Sequence, residues 1–152
     1  MSASPFYIDC RVSSTDPSKT QLSGSAITNA VAGNVESFIV TQYDSGSNQR
    51  DEGGDVLVVT IASASYAASG IEIFDRDDGT YLVTYKIINA AEVYILQVTT
   101  NGDSANTKTS TITVVANVPD AITSTLSAST PLTIDDGHTF SLQIFDRYNN
   151  PV

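Results

Sequence analysis

The stretch DRDDGTYLVTYKI, residues 75–87, places an acidic turn directly before an alternating strand. Tyr81, Val83 and Tyr85 stand at every second position, which puts their side chains on one face of an extended chain. Gly79 supplies the positive φ that a tight turn between two strands requires. The stretch therefore predicts a hairpin whose second strand has one apolar face.

The carboxylates of this turn also suggest a calcium site. An EF-hand loop places its ligands at alternate positions, with Gly at the sixth position and Glu at the twelfth. Counted from Asp75, Gly79 is the fifth residue and Lys86 is the twelfth. The ligand spacing fails, so we expect a turn, with no metal site and no cofactor.

The same period of two recurs along the chain, between clusters of Gly, Asn, Asp and Ser. The alternating or apolar runs are residues 34–44, 55–62, 70–74, 80–87, 92–99 and 110–116. No segment shows the 3.6-residue period of an amphipathic helix. The pattern predicts an all-β chain of six or seven short strands, arranged as a two-sheet sandwich.

An internal repeat divides the chain. Ile112 and Leu126 follow Ile8 and Leu22 at an offset of 104 residues. FSLQIFD at 140–146 follows FIVTQYD at 38–44 at an offset of 102. One repeat is thus about 104 residues, close to the roughly 100 of an immunoglobulin-like domain.

The repeat predicts three segments. Residues 1–15 hold the last strand of a preceding repeat and a linker, 16–117 form a complete domain, and 118–152 begin a following, truncated repeat. A strand without its sheet leaves backbone groups unpaired, so the flanks should add little to the stability of residues 16–116. The apolar flank residues should be poorly ordered or paired outside this chain; they are Phe6, Ile8, Leu142, Ile144 and Phe145.

Several motifs together resemble the filamin-type immunoglobulin-like repeat. They are SPFYIDCRV (4–12), DPSKTQLSG (16–24), AVAGNVESFIVTQYD (30–44), DGTYLVTY (78–85) and VYILQVTTNG (93–102). The likeness begins again at Pro119. Ala91-Glu92 stands where a Gly often precedes the aromatic residue of the sixth strand, the loop 44–54 is longer and more acidic than usual, and the usual Pro after the fifth strand is absent. The chain thus resembles a divergent member.

The resemblance implies a seven-stranded antiparallel immunoglobulin-like β-sandwich without enzymatic activity. Such repeats act as spacers in a rod. Some bind partner proteins by adding an extended peptide beside the third and fourth strands.

The run VLVVTI, residues 56–61, is apolar on both faces. If its odd-numbered side chains face the core, the outer face is also largely apolar and needs a cover. A loop or a neighbouring repeat is one cover; the alternative is a partner strand added by β-augmentation. The predicted groove for that strand is lined by Val56, Val58, Thr60, Ile71, Ile73 and Phe74.

Other reactive side chains offer no site. Cys10 corresponds to Val114 at the offset of 104, which predicts a packing role in the core of the preceding repeat. His138 has no second His with which to bind a metal and is expected on the surface. Five further acidic residues are predicted in solvated loops or at strand ends: Asp44, Asp51, Glu52, Asp55 and Asp103. No Gly-x-Ser-x-Gly motif occurs, so we expect no enzyme.

Charge and composition limit the partners. A formal net charge of −10 disfavours nucleic acid and anionic lipid, and no apolar run is long enough to insert in a membrane. We expect protein partners, bound by strand addition or as neighbouring repeats. Few lysines, many Ser and Thr residues and the acidic balance favour a cell-surface adhesion setting. The absence of sequons and disulfides favours an intracellular actin-crosslinking or cytoskeletal scaffold. A calcium- or carbohydrate-dependent adhesin module is the third alternative.

Overall fold

The computed structural model describes residues 11–128 and 139–152, in which β-strands dominate. In chain order the strands are β1 (Gln21–Ser23), β2 (Asn29–Val31), β3 (Val35–Thr41), β4 (Leu57–Ala62), β5 (Ser69–Asp75), β6 (Thr80–Lys86), β7 (Val93–Thr100), β8 (Lys108–Val115), β9 (Thr125–Ala128) and β10 (Phe140–Gln143). Three single-turn 3₁₀ helices lie at Pro17–Lys19, Ser25–Ile27 and Ser104–Asn106. Of the helices in the described residues, none has the length and apolar character needed to span a bilayer.

Two four-stranded sheets form the sandwich. The first sheet has the order β1-β3-β6-β5 and the second has the order β2-β8-β7-β4. β9 and β10 pair as a separate two-stranded antiparallel sheet. The all-β immunoglobulin-like sandwich predicted from the sequence is therefore confirmed.

β6 shows why the alternating pattern predicts its position. Tyr81, Val83 and Tyr85 are all buried, because β6 lies between β3 and β5 and turns this face toward the second sheet. The preceding turn has Gly79 at φ 75° and Asp77 at φ 58°. The structure thus contains the predicted hairpin.

The first strand of the sandwich is divided between the two sheets. β1 pairs antiparallel with β3, whereas β2 pairs parallel with β8. Gly24, at φ 114°, allows the chain to cross from one sheet to the other. Residues 16–117 therefore hold eight strand segments, two of which, β2 and β8, form a parallel pair, and β1 and β2 are the two halves of one divided strand.

The core lies between the two sheets and draws on both. Its fully buried large side chains include Phe38, Val40, Tyr81, Val83, Tyr85, Tyr94, Leu96, Val98 and Ile112. Three buried polar side chains, those of Thr20, Gln42 and Thr100, lie at one end of the core. Thr20 Oγ1 donates to Gln42 Oε1 at 2.6 Å, and Gln42 Nε2 donates to Thr100 Oγ1 at 3.0 Å. These bonds satisfy polar atoms that would otherwise destabilise the interior.

The internal repeat is visible in the hydrogen bonds. The Asp44 amide donates to the Asn48 carbonyl, and the Asp146 amide donates to the Asn150 carbonyl, each at 2.9 Å. Ser47 and Asn149, again 102 residues apart, have φ angles of 65° and 66°. Residues 44–48 and 146–150 therefore form the same loop, which we call the Asp–Asn loop.

The C-terminal flank carries its apolar side chains at or near the surface. Leu142 and Ile144 are exposed and Phe145 is half-buried. Phe6 and Ile8 lie outside the described residues. The division into segments 1–15, 16–117 and 118–152 stays a prediction.

Candidate functional site

The candidate site is the free edge of β4. β4 is the outer strand of the second sheet and β5 is the outer strand of the first. The two strands border the same side of the sandwich, since the Ala68 amide donates to the Ile61 carbonyl at 2.9 Å. Beyond this bond, β4 has no partner on its outer side among the strands of the described residues.

The hydrogen bonds at the two ends of β4 show where its backbone groups point. The Val56 carbonyl accepts from the Asn101 amide, on the side of β7, whereas the Ile61 carbonyl accepts from Ala68, on the side of β5. In an antiparallel strand alternate residues direct both backbone groups to the same side. Leu57 and Val59 therefore direct their N–H and C=O groups toward the free edge.

Val58 and Thr60 lie on the outer face of the second sheet. They pair with Thr99 and Gln97 of β7, and Val58 is 53% exposed. Val56 lies just before β4 and is exposed as well. The predicted two-faced pattern is present, because Leu57 and Val59 pack against the core from the opposite face.

The three predicted residues of β5 divide between two faces. Ile73 pairs with the buried Val83, so it shares the inner face of the first sheet, and Ile71 packs against the core. Phe74 pairs with Leu82 on the outer face of that sheet. The structure therefore places Ile71 and Ile73 on the inner face of the first sheet and Phe74 on its outer face, so the predicted groove residues do not share one face.

One end of this edge is held by polar contacts. The Gly54 amide donates to Asp75 Oδ2 at 2.7 Å, and the Asp55 amide donates to the Tyr81 hydroxyl at 2.8 Å. The carboxylate of Asp55 also accepts from Thr15 Oγ1, at 2.7 Å. Asp55, predicted in a solvated loop or at a strand end, is half-buried and links the loop before β4 to Tyr81 of β6 and to Thr15.

The acidic turn uses its carboxylates internally. Asp75 Oδ1 accepts from the Asp77 amide, and Asp78 Oδ1 accepts from both the hydroxyl and the amide of Thr80. Hydrogen bonds from the side chain and backbone of Thr80 lower the pKa of Asp78. Within 11–128 and 139–152 no three Asp, Glu, His or Cys side chains are placed to hold a metal ion. Cys10 and His138 lie outside these ranges.

Asp44 is the residue whose role the sequence interpretation missed. Its side chain is buried, and its carboxylate accepts from the amide of Asn48 at 2.8 Å and that of Ser13 at 3.2 Å. The hydrogen bonds from Asn48, followed by those from Ser13, lower the pKa of Asp44 to about 2. The available signal was its recurrence as Asp146 at the offset of 102.

Comparisons with known proteins agree with this architecture. A family model described as the Filamin/ABP280 repeat matches residues 14–116. The E3 ubiquitin-protein ligase TRIM71 of Mus musculus is 36% identical over 67 residues, which are 44% of this chain and 8% of that protein. TRIM71 of Gallus gallus is 33% identical over the same length. This chain thus spans only a small part of its curated relatives.

Two solved structures share the fold. FdeC, an adhesin of Escherichia coli, superposes with a TM-score of 0.64 and 22% identity, over 92% of this chain and 44% of that chain. The Lin-41 filamin domain superposes with a TM-score of 0.53 and 14% identity, over 66% of this chain and 97% of that chain. Because the family model covers most of the chain and a filamin domain shares its sandwich, this chain belongs to the Filamin/ABP280 repeat family.

Proposed function

We propose that this chain is a non-enzymatic repeat of a multi-repeat protein, which spaces its neighbours and binds a partner protein at the free edge of β4. Filamin-type repeats mediate protein interactions, and the family assignment supports the coarse role. The single observation that carries the finer proposal is the six-residue, regularly paired edge strand Leu57–Ala62. An extended peptide placed there gains main-chain hydrogen bonds to Leu57 and Val59.

The other sheet edges are poorer templates. β1 and β2 have three residues each. β5 is interrupted by a register shift between Ser69 and Glu72, and Gly70 between them has φ 59°. Since bulges and short strands disfavour edge pairing, β4 is the preferred edge.

The side chains beside β4 define the peptide that would bind. An added strand turns alternate side chains inward, toward Ile71 and Ile73, and the remainder outward, beside Val58 and Thr60. Both rows are uncharged, and a residue opposite Val58 would lose water from an apolar surface. We therefore expect an extended, alternating segment rich in β-branched side chains.

We place this repeat in an adhesion protein at a cell surface. The support is compositional: charged residues are only 16% of the chain, Lys and Arg together number seven, and Ser and Thr are abundant. The intracellular alternative is an actin-crosslinking or cytoskeletal scaffold. The parent sequence beyond Val152 discriminates, since an actin-binding domain would favour the scaffold and a membrane span the surface.

The test uses uncharged peptides of six residues, the length of β4, that alternate Val or Ile with Ser or Thr. Nuclear magnetic resonance of the labelled chain should show the largest amide shifts at Leu57, Val59 and Ile73 as peptide is added. Val58→Lys should weaken binding by roughly tenfold, as expected when an apolar contact is replaced by a solvated charge.

Val93→Lys is the matched control. Val93 has the same exposure, 53%, and lies on the same outer face, but in β7, an inner strand of the sheet, where it pairs with Thr113 of β8. It should therefore leave binding unchanged. Shifts confined to β1 or β2, or equal losses in the two variants, would contradict strand addition at β4.

A further inference from the structure

The C-terminal Asp–Asn loop lies against one end of the complete repeat. That end, which we call the base, consists of the β2–β3 turn at residues 32–34 and the β6–β7 loop at residues 87–90. The Gly33 amide donates to the Ile87 carbonyl at 2.7 Å, so the two parts of the base are joined. The loop at 146–150 contacts both parts.

Tyr148 fits against Gly33. A Cβ atom at Gly33 would lie 1.9 Å from Cε2 of Tyr148, so only glycine leaves room for the ring at this distance. Lys86 Nζ lies 5.8 Å from the centroid of the same ring, within cation–π range. Gly33 is thus a socket for an aromatic side chain from the following segment.

Asn150 contacts the other half of the base. Its Nδ2 donates to the Ile88 carbonyl at 2.8 Å, and its Oδ1 accepts from the Ala90 amide at 2.8 Å. The side chain is only 3% exposed. Because the side-chain amide of Asn150 donates one of these hydrogen bonds and accepts the other, its position and its orientation on the β6–β7 loop are both defined.

Asn117 and Asp146 complete the contact from the linker side. Asn117 Nδ2 donates to the Ala32 carbonyl, and its backbone amide donates to Asp146 Oδ2, each at 2.8 Å. Asp146 also accepts from the amide of Asn150, at 2.9 Å. The linker, the loop and the base are therefore held by one connected set of bonds.

The same loop occurs at the opposite end of the complete repeat. Ser13 donates to Asp44 there as Asn117 donates to Asp146, and the offsets are 104 and 102 residues. Asn48, the counterpart of Asn150, is exposed. The difference in burial between the two asparagines corresponds to the presence of a base beside one of them.

We infer that the base is a docking surface for the Asp–Asn loop of the following repeat, and that Tyr148 in the Gly33 socket and Asn150 on residues 88–90 fix the angle between consecutive repeats. The inference rests on the proposed spacing role and specifies how that role is performed. The partner is the next repeat of the same protein, whose first loop supplies an aromatic ring and an asparagine amide.

The test uses the full chain with Tyr148→Ala and Asn150→Ala. The readout is amide hydrogen exchange at Ala90, whose N–H donates to Asn150 Oδ1. Both variants should speed this exchange by roughly tenfold, as the loss of one net hydrogen bond implies. ¹⁵N relaxation should show new local motion in residues 145–152. Unchanged exchange and relaxation in both variants would overturn the inference.

Glycine substitutions test the socket itself. Gly33→Ala introduces both a strained φ and a clash with Tyr148, whereas Gly54→Ala, at φ 95° and with nothing within 4 Å of its added Cβ, introduces strain alone. Only Gly33→Ala should speed exchange at Ala90. An equal effect of the two substitutions would refute the socket.

Peptide binding at β4 and docking of the Asp–Asn loop on the base can be tested independently of each other. Tyr148→Ala, Asn150→Ala and Gly33→Ala lie outside β4 and the loop before it, so peptide binding at Leu57 and Val59 should persist when these three variants loosen the joint. Loss of the β4 interaction alone would leave exchange at Ala90 unaltered.

Discussion

At the scale of single residues, Asp44 joins the N-terminal segment to the loop after β3. Its carboxylate accepts from Ser13 and from Asn48, and Arg50 Nη1 donates to the Ser13 carbonyl at 2.6 Å. A carboxylate suits this position because it only accepts hydrogen bonds and every polar neighbour that reaches it is a donor. The ionised form is therefore the one that stabilises the fold.

Asp44→Asn should lower the thermal midpoint at neutral pH by several degrees. The NH₂ group of the new side chain would face the N–H donors of Ser13 and Asn48 and could accept no bond from them. Hydrogen bonds hold the folded-state pKa near 2, below the ordinary 3.8. The stabilisation is thus complete above about pH 4 and is lost as pH falls toward about 2. Denaturant unfolding of the variant should depend less on pH across this window.

Asp51→Asn is the control, since Asp51 is an exposed carboxylate of the same loop. It should preserve both the midpoint and the acid dependence of the native chain. An Asp44→Asn variant with the full acid dependence would show that Asp44 does not contribute to it.

Residue-level roles were predictable only in part. The spacing of Asp75, Gly79 and Lys86 was enough to reject an EF-hand, because ligand geometry is local. The role of Asp44 depends on Ser13, a residue distant in sequence, and a single carboxylate in a loop carries no sign of such a partner. The recurrence of Asp44 as Asp146, 102 residues later, was the one feature of the sequence that indicated this role.

At the scale of elements, β6 and the 3₁₀ turn Ser25–Ile27 support each other. The Tyr85 hydroxyl donates to the Ala26 carbonyl, at the point where the chain crosses between the sheets. Burial raises the pKa of Tyr85, so its hydroxyl keeps the proton that it donates. This bond fixes the crossover that lets β2 pair with β8.

Tyr85→Phe should reduce the free energy of unfolding by about 1–2 kcal/mol, because the Ala26 carbonyl loses its donor inside the protein. The ring and its tilted contact with Phe38, at 6.2 Å between centroids, stay in place. Urea unfolding measures the loss. Tyr66→Phe removes the same hydroxyl from an exposed ring and should change stability by less than about 0.5 kcal/mol. Equal losses would contradict the structural role of the Tyr85 hydroxyl.

The longer strands were predicted to within three residues at each end because they carry enough alternating positions to show a period. β1 and β2 were not separated in the sequence, since three residues hold too little pattern. Their pairing also depends on distant partners, β3 and β8. The division of the groove residues between two faces escaped prediction for a related reason: it depends on which sheet each strand joins.

At the scale of the whole molecule, the carboxylates of Asp75 and Asp78 in the acidic turn are already occupied by hydrogen bonds within the protein. Asp75 accepts from Gly54 and Asp77, and Asp78 accepts from Thr80. Millimolar calcium should therefore leave the thermal midpoint unchanged, as measured by differential scanning calorimetry. A rise of many degrees that a chelator reverses would favour the calcium-dependent adhesin module instead.

The arrangement of the flanks was the least predictable feature. The offsets of 104 and 102 residues indicate that a second repeat begins, but they hold no information on how two ends meet. The expectation that residues 119–152 add little to the stability of 16–116 stays a prediction. The contribution of this flank to stability can be measured by removing its contacts, those of Tyr148 with Gly33 and of Asn150 with Ala90.

The parallel pairing of β2 with β8 has a consequence for a chain under tension. Force applied at the two ends of the repeat pulls β2 toward its N-terminal side and β8 toward its C-terminal side. Because the strands run in the same direction, these pulls are opposed along one axis and load the bonds between them in shear. The bonds at Thr113–Thr28 and Ala32–Val115 then share the load together, whereas an unzipping geometry would break them one at a time.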